Sequence, residues 1–254
     1  MNKPLDDPLE EARRIAEAAQ GKKIGLKLLG GAGVHAHSPS AQRAPLKRIY
    51  GDLDYAISKK DRKAVIALFK ELGYDANERF NLMNGDRRLY FYDAEHARQV
   101  DVFVDVFRMS HAIDLRGRLE HDHPAVSPAD LLLSKLQIYE VNRKDLIDIA
   151  ALLLDHAIDT GDAEDAIEAM YIARVAAGDW GFYRTVQVNI GRLRALLEEL
   201  EEIDRELVNA RLDQLWTHIE NEPKPLKWRV RAQVGDRVRW YELPEETRSP
   251  YLPG

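Results

Sequence analysis

Aspartates inside a strand-like run are the feature that most constrains the fold of this chain. The run RIYGDLDYAI, residues 48–57, has the two-residue alternation of a strand, which puts Asp52 and Asp54 on one face and apolar side chains on the other. Aspartate is depleted in strands, and two ionised carboxylates ~5–7 Å apart repel each other by about 2–3 kcal/mol at an effective dielectric constant near 20. The pattern therefore predicts that a cation lies beside this strand.

A second strand-like run supplies further carboxylates. In RQVDVFVDVF, residues 98–107, valines alternate with a face that carries Asp101 and Asp105. Four residues of strand separate these two aspartates by ~13 Å, whereas the ions of a two-metal site lie ~3.5–4 Å apart. Only one of them can therefore join Asp52 and Asp54. Mg²⁺ prefers a few carboxylates together with phosphate and water. If the two strands are neighbours in one sheet, their aspartates therefore predict a magnesium site. The alternative is that these acids lie on a solvent-exposed sheet face without a ligand.

Composition limits the class of protein. The chain has 254 residues, enough for one large domain or two modest ones, and 45% of them are hydrophobic. Its 37 Lys and Arg residues against 43 Asp and Glu residues give a net charge of −6, which argues against a protein that coats nucleic acid but leaves room for a local basic patch. The sequence contains no cysteine, so disulfides, zinc thiolate sites and thiol catalysis are excluded.

The sequence predicts no membrane association. The N-terminus is charged and helical in pattern, unlike a secretory signal. No apolar run reaches the ~18 residues that a membrane span needs. We therefore expect a soluble, cytoplasmic protein.

The pattern divides the chain into three parts. Residues 1–126 mix helical and strand-like segments, residues 127–222 read as helices, and residues 223–254 suggest a basic β-ribbon and a proline-punctuated tail. In the first part, Asn84-Gly85 between two apolar stretches predicts a β-hairpin, and the Pro- and Ser-containing residues 34–50 predict a loop. The predicted fold class is α+β, followed by a helical C-terminal domain.

A pair of glycines ends the first strand-like run. In KIGLKLLGGAG, Gly30 and Gly31 follow an apolar stretch, where glycine allows a tight turn and lets backbone N–H groups approach a phosphate. The run is neither Gly-x-Gly-x-x-Gly nor a Walker loop, because no Gly-Lys-Ser/Thr follows it. Taken alone, it predicts a turn more readily than a phosphate cradle.

Together these motifs resemble the DNA polymerase beta-like nucleotidyltransferase superfamily, in the order strand, Gly-Gly, Asp-x-Asp strand and an acid on a later strand. The resemblance implies a mixed sheet with flanking helices, with the triphosphate of an NTP such as ATP on Gly30 and Gly31. It also implies two Mg²⁺ ions (Mn²⁺ is an alternative) on Asp52, Asp54 and Asp101, the last of which would also act as general base.

Within that superfamily the chain is most similar to the abortive-infection-type (AbiEii-like) toxin nucleotidyltransferases, over about residues 24–155. Arg48 stands four residues before the first aspartate, as in that group. The stretch LLLSKLQIYEVNRKDLIDIAALL matches the group's C-terminal helices and implies that Lys135, with Arg48, contacts the nucleotide, and that Lys144, Asp145 and Asp148 support the site. Ala32 after the glycines departs from the group, which often has Ser or Thr there.

The resemblance implies transfer of an NMP from an NTP to an acceptor hydroxyl with release of pyrophosphate. The acceptor could be a tRNA, a protein or a small molecule such as an antibiotic, and toxin relatives imply an antitoxin-like partner. The alternatives are a non-catalytic scaffold that keeps the fold, and an unrelated α+β protein. The sequence leaves the oligomeric state open.

Overall fold

A five-stranded mixed sheet forms the centre of the first half of the chain. The computed structural model describes residues 3–120, 124–161 and 165–243. The sheet has the spatial order β1-β2-β5-β4-β3, with strands β1 (Leu26–Leu29), β2 (Leu53–Ile57), β3 (Asp75–Ala76), β4 (Arg88–Asp93) and β5 (Arg98–Val104). β2 and β5 run parallel, whereas the other neighbouring pairs are antiparallel. The α+β class predicted from the sequence, with its mixed sheet, is confirmed.

One face of this sheet is apolar and is covered by two helices. α1 (Pro8–Gly21) begins where the Asp7 side chain accepts hydrogen bonds from the Leu9 and Glu10 N–H groups. α3 (Arg62–Glu71) lies on the same face. The side chains buried between these helices and the sheet include Ala12, Ile15, Val65, Leu68, Phe69, Leu53, Tyr55, Val100 and Val102. The alternation of valines in RQVDVFVDVF therefore corresponds to a buried sheet face.

The opposite face, which carries the aspartates, meets the helical half of the chain. It is covered by α2 (Gly30–His37), which lies against β1 and β2. α5 (Pro128–Leu136) and α6 (Arg143–Asp155) pack on α2, and α7 (Ala169–Gly178), α8 (Trp180–Glu199) and α9 (Arg205–Asn221) pack in turn on α5 and α6. Leu29, Ala56 and Phe103 of the sheet are buried in the same apolar cluster as these helices. The acid-bearing face is thus a junction between sheet and helices rather than an open surface.

Shorter elements connect these parts. They are α4 (Glu78–Asn84), the antiparallel pair β6 (Val106–Arg108) and β7 (Ala112–Asp114), the parallel pair β8 (Ile158–Asp159) and β9 (Ile167–Glu168), α10 (Leu226–Val234), and three 3₁₀ helices at Pro39–Gln42, Lys59–Asp61 and Gly235–Arg237. Among the described residues, no helix is long and apolar enough to cross a membrane.

The hairpin predicted at Asn84-Gly85 is wrong, because Asn84 ends α4 and β4 pairs with β3 and β5. The Asn81 side chain accepts a hydrogen bond from the Tyr90 N–H (2.7 Å) and donates one to the Tyr90 carbonyl (3.1 Å), which fixes α4 against β4. A Cβ at Gly85 would lie 2.2 Å from the Asn81 carbonyl oxygen, so this glycine serves a close approach of backbones. The loop predicted from residue 34 is likewise replaced, over residues 34–42, by the end of α2 and a 3₁₀ helix.

The basic β-ribbon predicted after residue 223 is also wrong, since α10 occupies Leu226–Val234. Trp228 donates a hydrogen bond from Nε1 to the Ala176 carbonyl (3.1 Å), and the Arg231 guanidinium lies 4.4 Å from the ring centre of Trp180. These two side chains are three residues apart and so reach the underlying helices from one face of a helix, which a strand would not allow. The tail predicted at residues 244–254 lies outside the described residues.

Candidate functional site

Asp54 and Asp101 are directly adjacent in the sheet. The parallel register of β2 and β5 pairs them, and Asp101 is only 4% exposed. Asp105 is placed elsewhere: it follows β5 in a left-handed backbone conformation (φ 60°), and its Oδ1 accepts a hydrogen bond from the Lys59 N–H at 2.9 Å. Of the two aspartates on the second run, the structure therefore brings Asp101 to Asp54.

Electrostatic strain marks this group of acids. Burial raises the pKa of Asp54 to about 7, and the neighbouring charge of Asp101 adds to the effect, while Lys135 opposes it. Asp52 lies just before β2 on the exposed side, and its pKa is raised by desolvation and then by Asp101, with Lys144 acting in the opposite direction. The nearby cations do not fully offset the negative charge, so a further cation would be stabilised here.

The two glycines pack directly against the Asp54 and Arg48 side chains. Gly30 has a φ of +59°, and a Cβ there would lie 2.2 Å from Asp54 Oδ2. A Cβ at Gly31 would lie 1.8 Å from Arg48 Nη2. Glycine is therefore required so that the start of α2 can approach Asp54 and Arg48. The first turn of a helix has backbone N–H groups without intrahelical acceptors, and these lie beside the acids.

A buried ionic network lies next to the glycine turn. Arg48 makes a bidentate pair with Asp148, from Nε to Oδ1 at 2.7 Å and from Nη2 to Oδ2 at 2.8 Å. Lys135 Nζ is 2.8 Å from Asp145 Oδ1 and 2.9 Å from Asp148 Oδ2. Burial lowers the pKa of Lys135, but the two carboxylates outweigh it and raise that pKa. Lys144, by contrast, is exposed.

Lys135 lies among apolar residues of α5, and its charge is paired within the protein. Lys135 is 7% exposed and meets anions supplied by the protein, Asp145 and Asp148. The pKa of Asp148 is lowered, since Lys135 and Arg48 together outweigh its burial. In this structure the two cations expected beside the nucleotide are thus held by one shared carboxylate.

Sequence reasoning missed two residues that hold Asp101. Arg88 Nε donates to Asp101 Oδ1 at 2.7 Å, and Gln99 Nε2 donates to Asp101 Oδ2 at 2.7 Å. Arg88 pairs with Phe103 across β4 and β5, so it shares the face of Asp101. Gln99 lies two residues before Asp101 and could have been found from the strand alternation, whereas Arg88 required the register of β4.

The donor set fits a hard divalent cation in its chemistry. Three carboxylates are suitable oxygen ligands for Mg²⁺, and burial followed by the charge of Asp101 raises the pKa of both Asp52 and Asp54. In the ranges that the structure describes, no three acidic or histidine side chains already converge as a metal-binding cluster. Both oxygens of Asp101 accept hydrogen bonds from Arg88 and Gln99, but a carboxylate oxygen has a second lone pair for another partner.

Comparisons with known proteins give remote similarities. No family model matches the sequence, and no curated protein matches it. The lincosamide antibiotic adenylyltransferase LnuA, solved with lincomycin bound, is 17% identical with a TM-score of 0.42, and the match covers 59% of this chain and 98% of that one. The antibiotic-resistance factor ANT(2'')-Ia, solved in solution, is 13% identical with a TM-score of 0.44, covering 68% and 96%.

A third similar structure is an antigenic nucleotidyltransferase-like protein from Paracoccidioides brasiliensis. It is 12% identical with a TM-score of 0.38, and the match covers 73% of this chain and 94% of that one. Of these structural neighbours, LnuA is named as an adenylyltransferase and the Paracoccidioides brasiliensis protein as nucleotidyltransferase-like. Similarities this remote do not carry a function over to this chain.

Proposed function

We propose that this chain is a Mg²⁺-dependent nucleotidyltransferase that moves an NMP from an NTP to an acceptor hydroxyl. The observation that carries the proposal is the pairing of Asp54 with Asp101 in adjacent parallel strands, beside a glycine turn that admits nothing larger than hydrogen. Asp52 is the third acid of the proposal, and its pKa is raised first by burial and then by the charge of Asp101.

In this proposal, one set of residues binds the nucleotide and its metal ions, and one member of that set also accepts the proton of the acceptor hydroxyl. The backbone N–H groups that follow Gly30 and Gly31 bind the triphosphate, which α2 favours through the partial positive charge of its N-terminus. Arg48 and Lys135 lie at the same end of the site, where Asp148 holds both side chains, and they would contact the nucleotide. Asp52, Asp54 and Asp101 would hold two Mg²⁺ ions, which when bound lower the pKa of the acceptor hydroxyl and stabilise the departing pyrophosphate.

Asp101 is the proton acceptor in this proposal. The acceptor oxygen forms a bond to the α-phosphorus while its proton passes to Asp101, and the bond from the α-phosphorus to the bridging oxygen breaks to release pyrophosphate. Arg88 and Gln99 orient the Asp101 carboxylate through their hydrogen bonds at 2.7 Å. The resemblance to abortive-infection-type enzymes extends the proposal to a cytoplasmic toxin with ATP or another NTP as donor and a neutralising partner.

A thermal-shift panel tests this function. Wild type and the double variant Asp52→Asn/Asp54→Asn are compared with each NTP, with and without Mg²⁺. A ligand at ~100 times its dissociation constant adds about 2.7 kcal/mol to the free energy of unfolding, so wild type should show a Mg²⁺-dependent rise in Tm that the variant lacks.

Asp105→Asn is the matched control, because it removes a carboxylate of the same run that lies outside the acid pair. It should keep the full Mg²⁺-dependent rise. If the double variant keeps the rise as well, the metal assignment is wrong. Nucleotide binding without pyrophosphate release in any acceptor mixture would favour the scaffold instead.

A further inference from the structure

A cationic cavity begins at the residue that holds Asp101. It has a volume of about 580 Å³, and its cationic lining residues are Lys59, Arg87, Arg88, Arg108 and Arg116. The carboxylates on its wall are Asp86, Asp105 and Glu242. Arg88 pairs with Asp101 and Arg116 pairs with Asp114, so the positive charge of this surface comes from Lys59, Arg87 and Arg108. We call this cavity the arginine groove.

Internal ion pairs of Lys59, Arg87 and Arg108 are weak or absent among the described residues. Arg108 approaches Glu242 only to 3.6 Å, and Lys59 approaches Asp86 only to 3.6 Å, with every one of these side chains at least half exposed. Exposed pairs of this kind contribute about 0–1 kcal/mol. Arg87 is exposed and has no carboxylate partner among the described residues. The groove therefore keeps positive charge available for an anion.

The groove joins the acid site through one side chain. Arg88 lines it and also donates to Asp101 Oδ1 at 2.7 Å. The Arg88 guanidinium lies 5.2 Å from the ring centre of Phe103 and 6.0 Å from that of Phe80, which fixes it between the two rings. A ligand in the groove would therefore lie within reach of Asp101.

The order of the sheet puts the groove opposite the glycine turn. Across the acid-bearing face, β1 leads into Gly30, β2 carries Asp54, β5 carries Asp101 and β4 carries Arg88. In phosphoryl transfer the attacking and leaving oxygens lie roughly in line on opposite sides of the phosphorus. With the triphosphate at the glycine turn, the acceptor would enter from the side of Arg88.

We propose that the arginine groove is the acceptor site and that it selects an acceptor carrying phosphate next to its reactive hydroxyl. This inference rests on the proposed nucleotidyl transfer. Phosphate oxygens match the fork of guanidinium donors, whereas a cationic acceptor such as an aminoglycoside would be repelled by the same side chains. Two sources share this chemistry: the end of a nucleic-acid strand and a small phosphate ester.

Direct binding measurements separate this inference from the proposed function. Fluorescence anisotropy of a labelled six-nucleotide RNA and calorimetry with AMP are run on the full chain without NTP or Mg²⁺. The test variant is Arg87→Gln/Arg108→Gln, and the control is Lys63→Gln/Lys70→Gln, which removes the same charge from exposed positions of α3 on the other side of the sheet.

We expect the groove variant to weaken binding of a phosphate probe at least tenfold, and the control less than twofold. For RNA, the slope of log K against log salt should fall by about 1.4, since each lost phosphate contact on a single strand accounts for about 0.7. A loss of affinity in the groove variant that is confined to RNA identifies a strand end as the acceptor, and an equal fold-loss for RNA and AMP identifies a small phosphate ester.

The inference is overturned if the two double variants weaken binding equally, or if neither phosphate probe binds. It is also overturned if a cationic aminoglycoside binds the groove in competition with the probes. The Mg²⁺-dependent NTP shift, measured on the same preparations, reports on the glycine turn and the acids. If wild type shows no Mg²⁺-dependent shift with any NTP, the proposed function is refuted. If the shift is present but neither phosphate probe binds, only the proposed role of the arginine groove is refuted.

Discussion

Asp54 occupies a position where its charge is unfavourable unless a cation is bound. The pKa of Asp54 is raised from 3.8 to about 7, first by burial and then by Asp101. A carboxyl group with a raised pKa binds more protons in the folded than in the unfolded state between these values. The free energy of unfolding therefore falls as the pH rises through about 4 to 7. The Asp54 carboxylate therefore lowers the free energy of unfolding at neutral pH when no cation is bound.

Asp54→Asn should therefore stabilise the metal-free protein. Above pH 7 we expect the free energy of unfolding to rise by about 1–3 kcal/mol, which is less than the full pKa difference implies because the carboxylate is partly solvated. The gain should shrink towards zero near pH 4, where both forms are neutral. Urea denaturation in the presence of a chelator, at several pH values, measures it.

Asp75→Asn, at an exposed position of β3, is the matched control and should leave stability unchanged across this pH range. A destabilising effect of Asp54→Asn at pH 8 would mean that the Asp54 charge is already compensated in the protein. In that case, the acid pair would not need a metal ion.

At the scale of elements, one carboxylate ties the segment before β2 to α5 and α6. Asp148 binds Arg48 in a bidentate pair and Lys135 at 2.9 Å, and its side chain is 1% exposed. Because its pKa is lowered, this stabilisation is present above the ordinary carboxyl pKa and is lost as the pH falls below it. The network sets the position of Arg48 against Gly31 and so the shape of the glycine turn.

Asp148→Ala should lower the free energy of unfolding at pH 7 by about 3–5 kcal/mol, since it leaves a buried arginine without its partner. Asp213→Ala provides the contrast: it removes the exposed partner of Arg194 and should cost at most about 1 kcal/mol. Chemical denaturation of both variants measures the difference. Equal effects would show that Arg48 is solvated and that the network is dispensable.

The sequence could predict the features that depend on local periodicity, namely the fold class and the two faces of the strands, but few contacts between distant segments. Strand alternation separated the valines from Asp101, and the α+β class followed from the mixed pattern. The choice between Asp101 and Asp105 depended on the register of β2 and β5, and the pairing of Arg48 with Asp148 joins residues 100 positions apart. The α10 segment was misread because alternating basic and apolar residues also suit one face of a helix, and tertiary packing of Trp228 decided between them.

At the scale of the whole molecule, the two halves share one apolar core. Leu29, Ala56 and Phe103 of the sheet are buried in the cluster formed by α5 to α9. The acid-bearing face thus takes its shape from both halves, with Gly30 and Asp101 supplied by the sheet region and Lys135 by the helices. The division at residues 126 and 127 that the sequence predicts would therefore cut through the site.

A fragment of residues 1–126 should not fold to a native state on its own. Removing the helices would expose Leu29 and Phe103, each of which loses about 1.5–3 kcal/mol of burial, and Arg48 would lose Asp148. We expect weak near-ultraviolet circular dichroism and strong binding of a hydrophobic dye, against a single cooperative unfolding transition for the full chain. A fragment that unfolds cooperatively with a native-like spectrum would instead establish residues 1–126 as an independent domain. The helices would then cover the acid-bearing face but would not be needed for the sheet to fold.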